Sequence, residues 1–133
     1  MKKYLLLLLL FISFTSFSQT QDVDFPVNVK PDEKVQTVSI IQLISNPEKY
    51  DGKIISVAGF LNLGFEETAL YLSQNDEEHK LKKNSIWIDK DSDRSSIYHK
   101  EYVIITGTFD MKNNGHFGSF SGTLKKITNI YKQ

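Results

Sequence analysis

Two stretches, KIISVAGFLNLG at residues 53–64 and EYVIITGTFDM at 101–111, alternate in character with a period of two. That period belongs to a strand with one buried face. Ile55, Val57, Gly59, Leu61 and Leu63 share one face of the first; Val103, Ile105, Gly107 and Phe109 share one face of the second. Each run is long, and each carries a glycine among its apolar positions. A residue without a side chain inside a long strand marks a bend, a bulge or a close backbone approach.

Three further runs complete a β-rich pattern. TALYLS (68–73) points Leu70 and Leu72 inward, and SIWIDKD (85–91) points Ile86 and Ile88 inward. SGTLKKITNIYK (121–132) spaces Leu124, Ile127 and Ile130 three apart, which imitates a helix. Gly122, Thr123, Thr128 and Asn129 make a poor helix, so the stretch is expected to be a strand with a bulge. Ahead of the strands, Val38 to Asn46 puts Val38, Ile41, Leu43 and Ile44 on one helical face. Ser39 and Gln42 fit a capping box, and Pro47 ends the helix by disfavouring helical geometry at Asn46. Five strands, two of them long and bent, predict a small closed barrel with a leading N-terminal helix, since a sandwich wants about seven strands.

The N-terminus is of another kind. MKKYLLLLLLFISFTSFSQT opens with Lys2 and Lys3, continues through an apolar run from Tyr4 to Ile12, and offers Ser16-Phe17-Ser18 before Gln19. This is the pattern of a secretory signal peptide cleaved after Ser18. The run is shorter than the roughly 20 apolar residues that a membrane span needs. No cysteine follows it, so no lipoprotein anchor is expected. The chain divides into a signal peptide (1–18), an extended polar leader (19–37) carrying Pro26 and Pro31, and a β domain (38–133). The expected location is periplasmic or secreted, with no membrane span after signal removal.

Loss of residues 1–18 removes Lys2 and Lys3 and no acidic residue, leaving 14 basic against 16 acidic residues, a net charge of −2. Such a chain lacks the positive field that nucleic-acid binders use on phosphates. Cysteine is absent, so the apolar core alone must hold the domain. That is feasible for a domain of about 100 residues.

The order of elements, LISNPEKYDGKIISVAGFL followed by ALYLS, IWID, YVIITGTFD and GTLKKITNI, resembles the OB-fold as found in small exported bacterial OB-like domains. The resemblance spans Val38 to Tyr131. It departs from the OB pattern between the third and fourth strands, where KDSDRSSIYHK has room for only one or two helical turns. It implies a ligand face on the second and third strands, bordered by the loop after the fourth.

Tyr71, flanked by Ala69 and Ser73, and Trp87, flanked by Ser85 and Asp89, lie opposite the leucine and isoleucine rows of those two strands. Aromatic rings so placed can stack on bases or sugars, or serve as cover for a core. The loop after the fourth strand, NNGHFGSFSGTL, holds His116. Its GSFSG is not a nucleophile elbow, because Phe120 stands where the serine belongs and the stretch joins two strands. Tyr71, Trp87 and His116 are therefore the candidate ligand-binding residues, and no catalytic residue is assigned. Asp89, Asp91 and Asp93 start like a calcium loop, but Arg94 and Lys100 stand where glycine and glutamate are needed. NDEEHKLKKN (75–84) has one histidine among acids and reads as a charged surface loop or short helix, not a zinc site.

The expectation is an exported, non-enzymatic binding or accessory domain of the cell envelope, without cofactor or metal. Its partner would be an envelope protein, a glycan or a small molecule. The alternatives are a hydrolase or metal-dependent enzyme using His116, His99 and the Asp89–Asp93 loop, and an OB domain that binds nucleic acid.

Overall fold

The computed structural model describes residues 35–89 and 97–133. The signal peptide, nearly all of the leader, and Asp91 and Asp93 of the calcium-like stretch lie outside the described residues. The chain is mainly β, with one six-stranded sheet and two short α-helices among the described residues.

The expected count of five strands becomes six. The added strand, β1 (Gln36–Ser39), runs parallel to β2 (Ile54–Gly64), with Gln36 opposite Ile55 and Ser39 opposite Ala58. Its QTVS sequence is too short to carry a readable alternation, and only Val38 is buried. Pairing with β2 makes it a strand. Helix α1 (Ile40–Ser45) follows directly, and its capping box forms as expected: Gln42 N donates to Ser39 Oγ (3.1 Å) and Ser39 N donates to Gln42 Oε1 (2.9 Å). With the helix starting at Ile40, the buried face is Ile40 and Leu43. Ile41, expected inside, is 59% exposed.

β2 organises the sheet. Ile55 to Ala58 are flanked by β1 on one side and β5 (Glu101–Asp110) on the other. From Phe60 onward, β3 (Glu67–Tyr71) replaces β1. Gly59 is the residue at the change, and a Cβ there would stand 2.5 Å from the Tyr71 carbonyl oxygen and 2.7 Å from Leu70 Cγ. After β3 come helix α2 (Gln74–Glu78) and β4 (Ser85–Ile88). β4 pairs antiparallel with β3 and parallel with β6 (Thr123–Lys132), and β6 pairs antiparallel with β5. Neighbours therefore run β2, β3, β4, β6, β5 and return to β2.

The apolar rows read from the alternation meet in one core: Ile55, Val57 and Leu61 from β2, Leu70 from β3, Ile86 and Ile88 from β4, and Val103, Ile105 and Phe109 from β5. Leu72, expected with them, is 37% exposed because β3 ends at Tyr71. β6 is a strand with an irregularity, as expected. Between the pairs Thr106–Asn129 and Thr108–Lys125, two steps of β5 face four of β6, and Lys126 takes φ 51. The crowding at this bulge explains Gly107. A Cβ on it would stand 2.9 Å from both Ile127 Cδ1 and the Lys125 carbonyl oxygen.

Gly107→Val should lower stability by about 1–3 kcal/mol through overpacking, whereas Ile41→Gln, at an exposed position, should change it by less than about 0.5 kcal/mol. Urea unfolding of the two variants checks this; equal losses would contradict the packing at the bulge.

Candidate functional site

The outer face of β3 and β4 carries the aromatic residues that the sequence singles out. Alternation turns Ala69 and Tyr71 of β3 away from the main core, and the pairing sets Ala69 opposite Trp87 and Tyr71 opposite Ser85. Phe60, Ala69, Tyr71 and Phe120 form a second, smaller apolar cluster, with Trp87 packed against it. The face is occupied by the chain itself. The β5–β6 loop folds over it and plants Phe120, which is fully buried, with its ring 5.1 Å from that of Trp87.

Local hydrogen bonds shape this loop. Asp110 Oδ1 accepts from the amides of Lys112 and Asn113, and Asn113 Oδ1 accepts from Gly115 N. Thr123 Oγ1 donates to Asn113 O (2.7 Å), and Phe120 N donates to Asn114 O (3.1 Å). Ser121 Oγ donates to Lys83 O (2.7 Å), tying the loop to the turn before β4. Gly115, at φ 63, lies flat against the indole, where a Cβ would stand 2.6 Å from Trp87 Cβ and Cγ. Phe117 holds φ 56, a left-handed conformation that is costly for a bulky residue.

The three candidate residues are therefore brought to one region in unequal roles. Tyr71 is fully buried, and its hydroxyl donates to Glu67 Oε1 at 2.6 Å, so its ring is packing and not an open platform. Trp87 is half-buried, with the His116 ring stacked 6.4 Å away at 22°. His116 is the one that reaches the rim. Its ring lies 4.0 Å from that of Phe117, and its Nε2 lies 3.7 Å from Glu66 Oε2 in the β2–β3 turn. Beside Glu66 is Phe65, 94% exposed, and beside His116 is Phe117, 89% exposed. Phe65, Glu66 and Phe117 are not among the residues expected from the sequence. The available signal was an aromatic residue in each of two glycine-bearing turns, GFEE and GHFG.

Below Tyr71 lies an ionic network in NDEEHKLKKN, the stretch expected to be a charged surface loop or short helix. Its first residues lie in the short helix α2, but Asp76 and Glu77 are buried there and not at the surface. Glu77 Oε1 accepts from Lys80 (2.8 Å) and Lys100 (2.6 Å), and Lys80 also reaches Glu67 Oε1 (3.2 Å). Ser73 caps α2, its Oγ accepting from Asp76 N (3.1 Å), and the Asp76 carboxylate accepts in turn from the Ser73 hydroxyl and from Asn84 Nδ2. Burial pushes the Glu67 and Glu77 carboxyls up. The Tyr71 hydroxyl and Lys80 for Glu67, and Lys100 and Lys80 for Glu77, more than offset this and hold both below the ordinary value. Asn84 and Ser73 hold Asp76 low, against a smaller upward push from burial. Burial and the bond to Glu67 push the Tyr71 phenol up.

Chemically, the rim can present two aromatic side chains, one imidazole and one carboxylate. Among the described residues, no group of three histidine, aspartate or glutamate side chains is placed to hold a metal ion. His99, the second histidine of the enzyme reading, accepts at Nδ1 from Leu63 N (3.0 Å). No helix among the described residues is long and apolar enough to cross a membrane. No family model, curated protein or solved structure matches this chain.

Carboxyls held low in the fold stabilise it above their unfolded values, near 4.5 for glutamate and 3.8 for aspartate, and that stabilisation is lost as pH falls through the folded values. Melting temperature should therefore drop below about pH 4.5. Tyr71→Phe should cost about 1–3 kcal/mol at pH 7, the range for a hydrogen bond to a charged group, and the cost should shrink as pH falls below 4.5 and on through the lowered Glu67 value. A series of thermal melts from pH 7 down to the acid unfolding limit checks this; a cost that stays constant across the series would contradict the role of the ionised Glu67.

Proposed function

We propose that this chain is an exported, non-enzymatic binding domain of the cell envelope, built on an OB-like barrel. Its partner is held at the rim formed by Phe65 and Glu66 of the β2–β3 turn and His116 and Phe117 of the β5–β6 loop. Export rests on the N-terminal pattern. The barrel reading is supported by the circuit of pairings through β2, β3, β4, β6 and β5, and by the parallel contact of β4 with β6. In OB folds, the loops joining the first two and the last two barrel strands border the ligand. Their counterparts here are the β2–β3 turn and the β5–β6 loop.

The observation that carries the reading is the meeting of those loops. His116 approaches Glu66, and each loop holds an almost fully exposed phenylalanine beside that contact. An exposed aromatic residue on a loop fixed by its own hydrogen bonds is suited to act as an anchor, because little backbone freedom remains to be lost on binding. Phe117 supports this further, since a strained backbone at an exposed residue does not serve packing. A hydrolase built on His116 has less support. Its side chain makes no hydrogen bond to a serine or threonine among the described residues, and Glu66 lies beyond hydrogen-bond distance. A nucleic-acid role rests on fold analogy alone and meets a net charge of −2 once residues 1–18 are removed.

A photo-reactive phenylalanine analogue placed at position 65 or 117 should give discrete cross-linked products in intact cell envelopes, while the same group at exposed Ile41 should not. Phe117→Gly should leave stability within about 1 kcal/mol, because glycine adopts φ 56 freely, yet it should weaken cross-linking from position 65. Equal products from positions 41, 65 and 117 would overturn the rim as the contact surface.

A further inference from the structure

His116 Nε2 is the one buried side-chain nitrogen or oxygen without a hydrogen-bond partner among the described residues. A buried polar atom left unpaired is destabilising and calls for a reason. It faces Glu66 Oε2 at 3.7 Å, longer than the 2.7–3.2 Å of an N–H···O bond. The rest of the ring is held in place, stacked over Trp87 on a backbone that Gly115 lets lie against the indole, and flanked by Phe117. Glu66 sits on the opposite loop at φ 58, with its side chain 58% exposed and free to move by the fraction of an ångström that separates contact from bond.

We propose that His116 and Glu66 form a proton-operated latch, in which protonation of the imidazole ties the β2–β3 turn to the β5–β6 loop and deprotonation releases it. A neutral imidazole either leaves a lone pair on Nε2 against the carboxylate or offers an uncharged N–H. An imidazolium carries a proton on both nitrogens and donates a charge-assisted bond, which is shorter and stronger.

The charged groups around the imidazole come from the two loops and from the turn before β4. From the β2–β3 turn it faces Glu66. From the turn before β4 come Lys82, over the Phe120 ring, and Lys83, whose Nζ lies 3.4 Å from Gly118 O. β4 contributes the uncharged Trp87. On the loop itself, Asp110 is paired with Lys125 at 2.7 Å, and Lys112 is exposed. Between pH 5 and 8 histidine is the side chain of ordinary behaviour that changes charge. Closing the latch fixes the spacing of Phe65 and Phe117. That use as a control on binding rests on the rim being the contact surface, but the latch itself does not.

The test is a double-mutant cycle on the ligand-free protein, with Glu66→Gln, His116→Gln and the double variant melted at pH 5.5 and pH 8.0. At pH 5.5 the two substitutions should be non-additive by about 1–4 °C in melting temperature, the range for a partly exposed ion pair in a domain of this size. At pH 8.0 they should add. Glu66→Gln alone gives an independent reading, with a deficit from wild type at pH 5.5 that disappears at pH 8.0. Trp87, the only tryptophan in the chain, should change its fluorescence between these pH values in wild type and not in His116→Gln. Additivity at both pH values, or equal coupling at both, overturns the latch. Coupling confined to pH 5.5 together with no rim cross-linking supports the latch and overturns the rim.

Discussion

The missing side chain of Gly59 is the constraint on which the sheet depends. β2 must lose β1 as a neighbour and gain β3 within a single residue, while β5 stays paired along its other edge. At that residue the Tyr71 carbonyl, the Leu70 side chain and Ile40 of α1 all close in, and any Cβ would stand within 3 Å of each. The approach joins α1, β2 and β3 at one point. It marks the point at which β3 takes over the edge of β2 that β1 leaves. The circuit of pairings back to β2 through β4, β6 and β5 follows from that geometry.

On the outside of the sheet the governing contact is again a glycine against a large neighbour. Gly115 lies against the Trp87 indole, so the β5–β6 loop can fall onto the sheet and seat Phe120 beside it. Burying Phe120 and Tyr71 gives the outer face a core of its own, and the buried Glu77 of α2 is linked to it through Lys80 and Glu67. What remains available to a partner is the edge of this second core. There the loop turns outward through the strained Phe117 and meets the β2–β3 turn. The proposed binding role therefore rests on residues displayed by the aromatic cluster, not on the cluster itself.

Much of this was legible in the sequence, because much of it is periodic. The alternation of 53–64 and 101–111 placed Ile55, Val57, Leu61, Val103, Ile105 and Phe109 correctly in the core. The capping box at Ser39 and Gln42 and the irregular final strand were equally local. The misses depend on distant partners. QTVS becomes a strand only because Ile55 to Ala58 offer an open edge. Glu77 looks solvated until Lys100, 23 positions on, is brought to it. Tyr71 and Trp87 were assigned to the right face, but that Phe120 would cover it could not be read from periodicity. The approach of His116 to Glu66 spans 50 positions and leaves no pattern in the chain.

The arrangement around Trp87 is the point at which fold, loop and rim meet, and its proton contacts in solution test the account most directly. In an NMR spectrum of the folded domain, the indole protons of Trp87 should show nuclear Overhauser contacts to the Gly115 α-protons, the Phe120 ring and the His116 ring together. The absence of all three contacts, with an indole as open to an aqueous quencher as free tryptophan, would mean that the β5–β6 loop does not close over β3 and β4. The rim as described would then not exist.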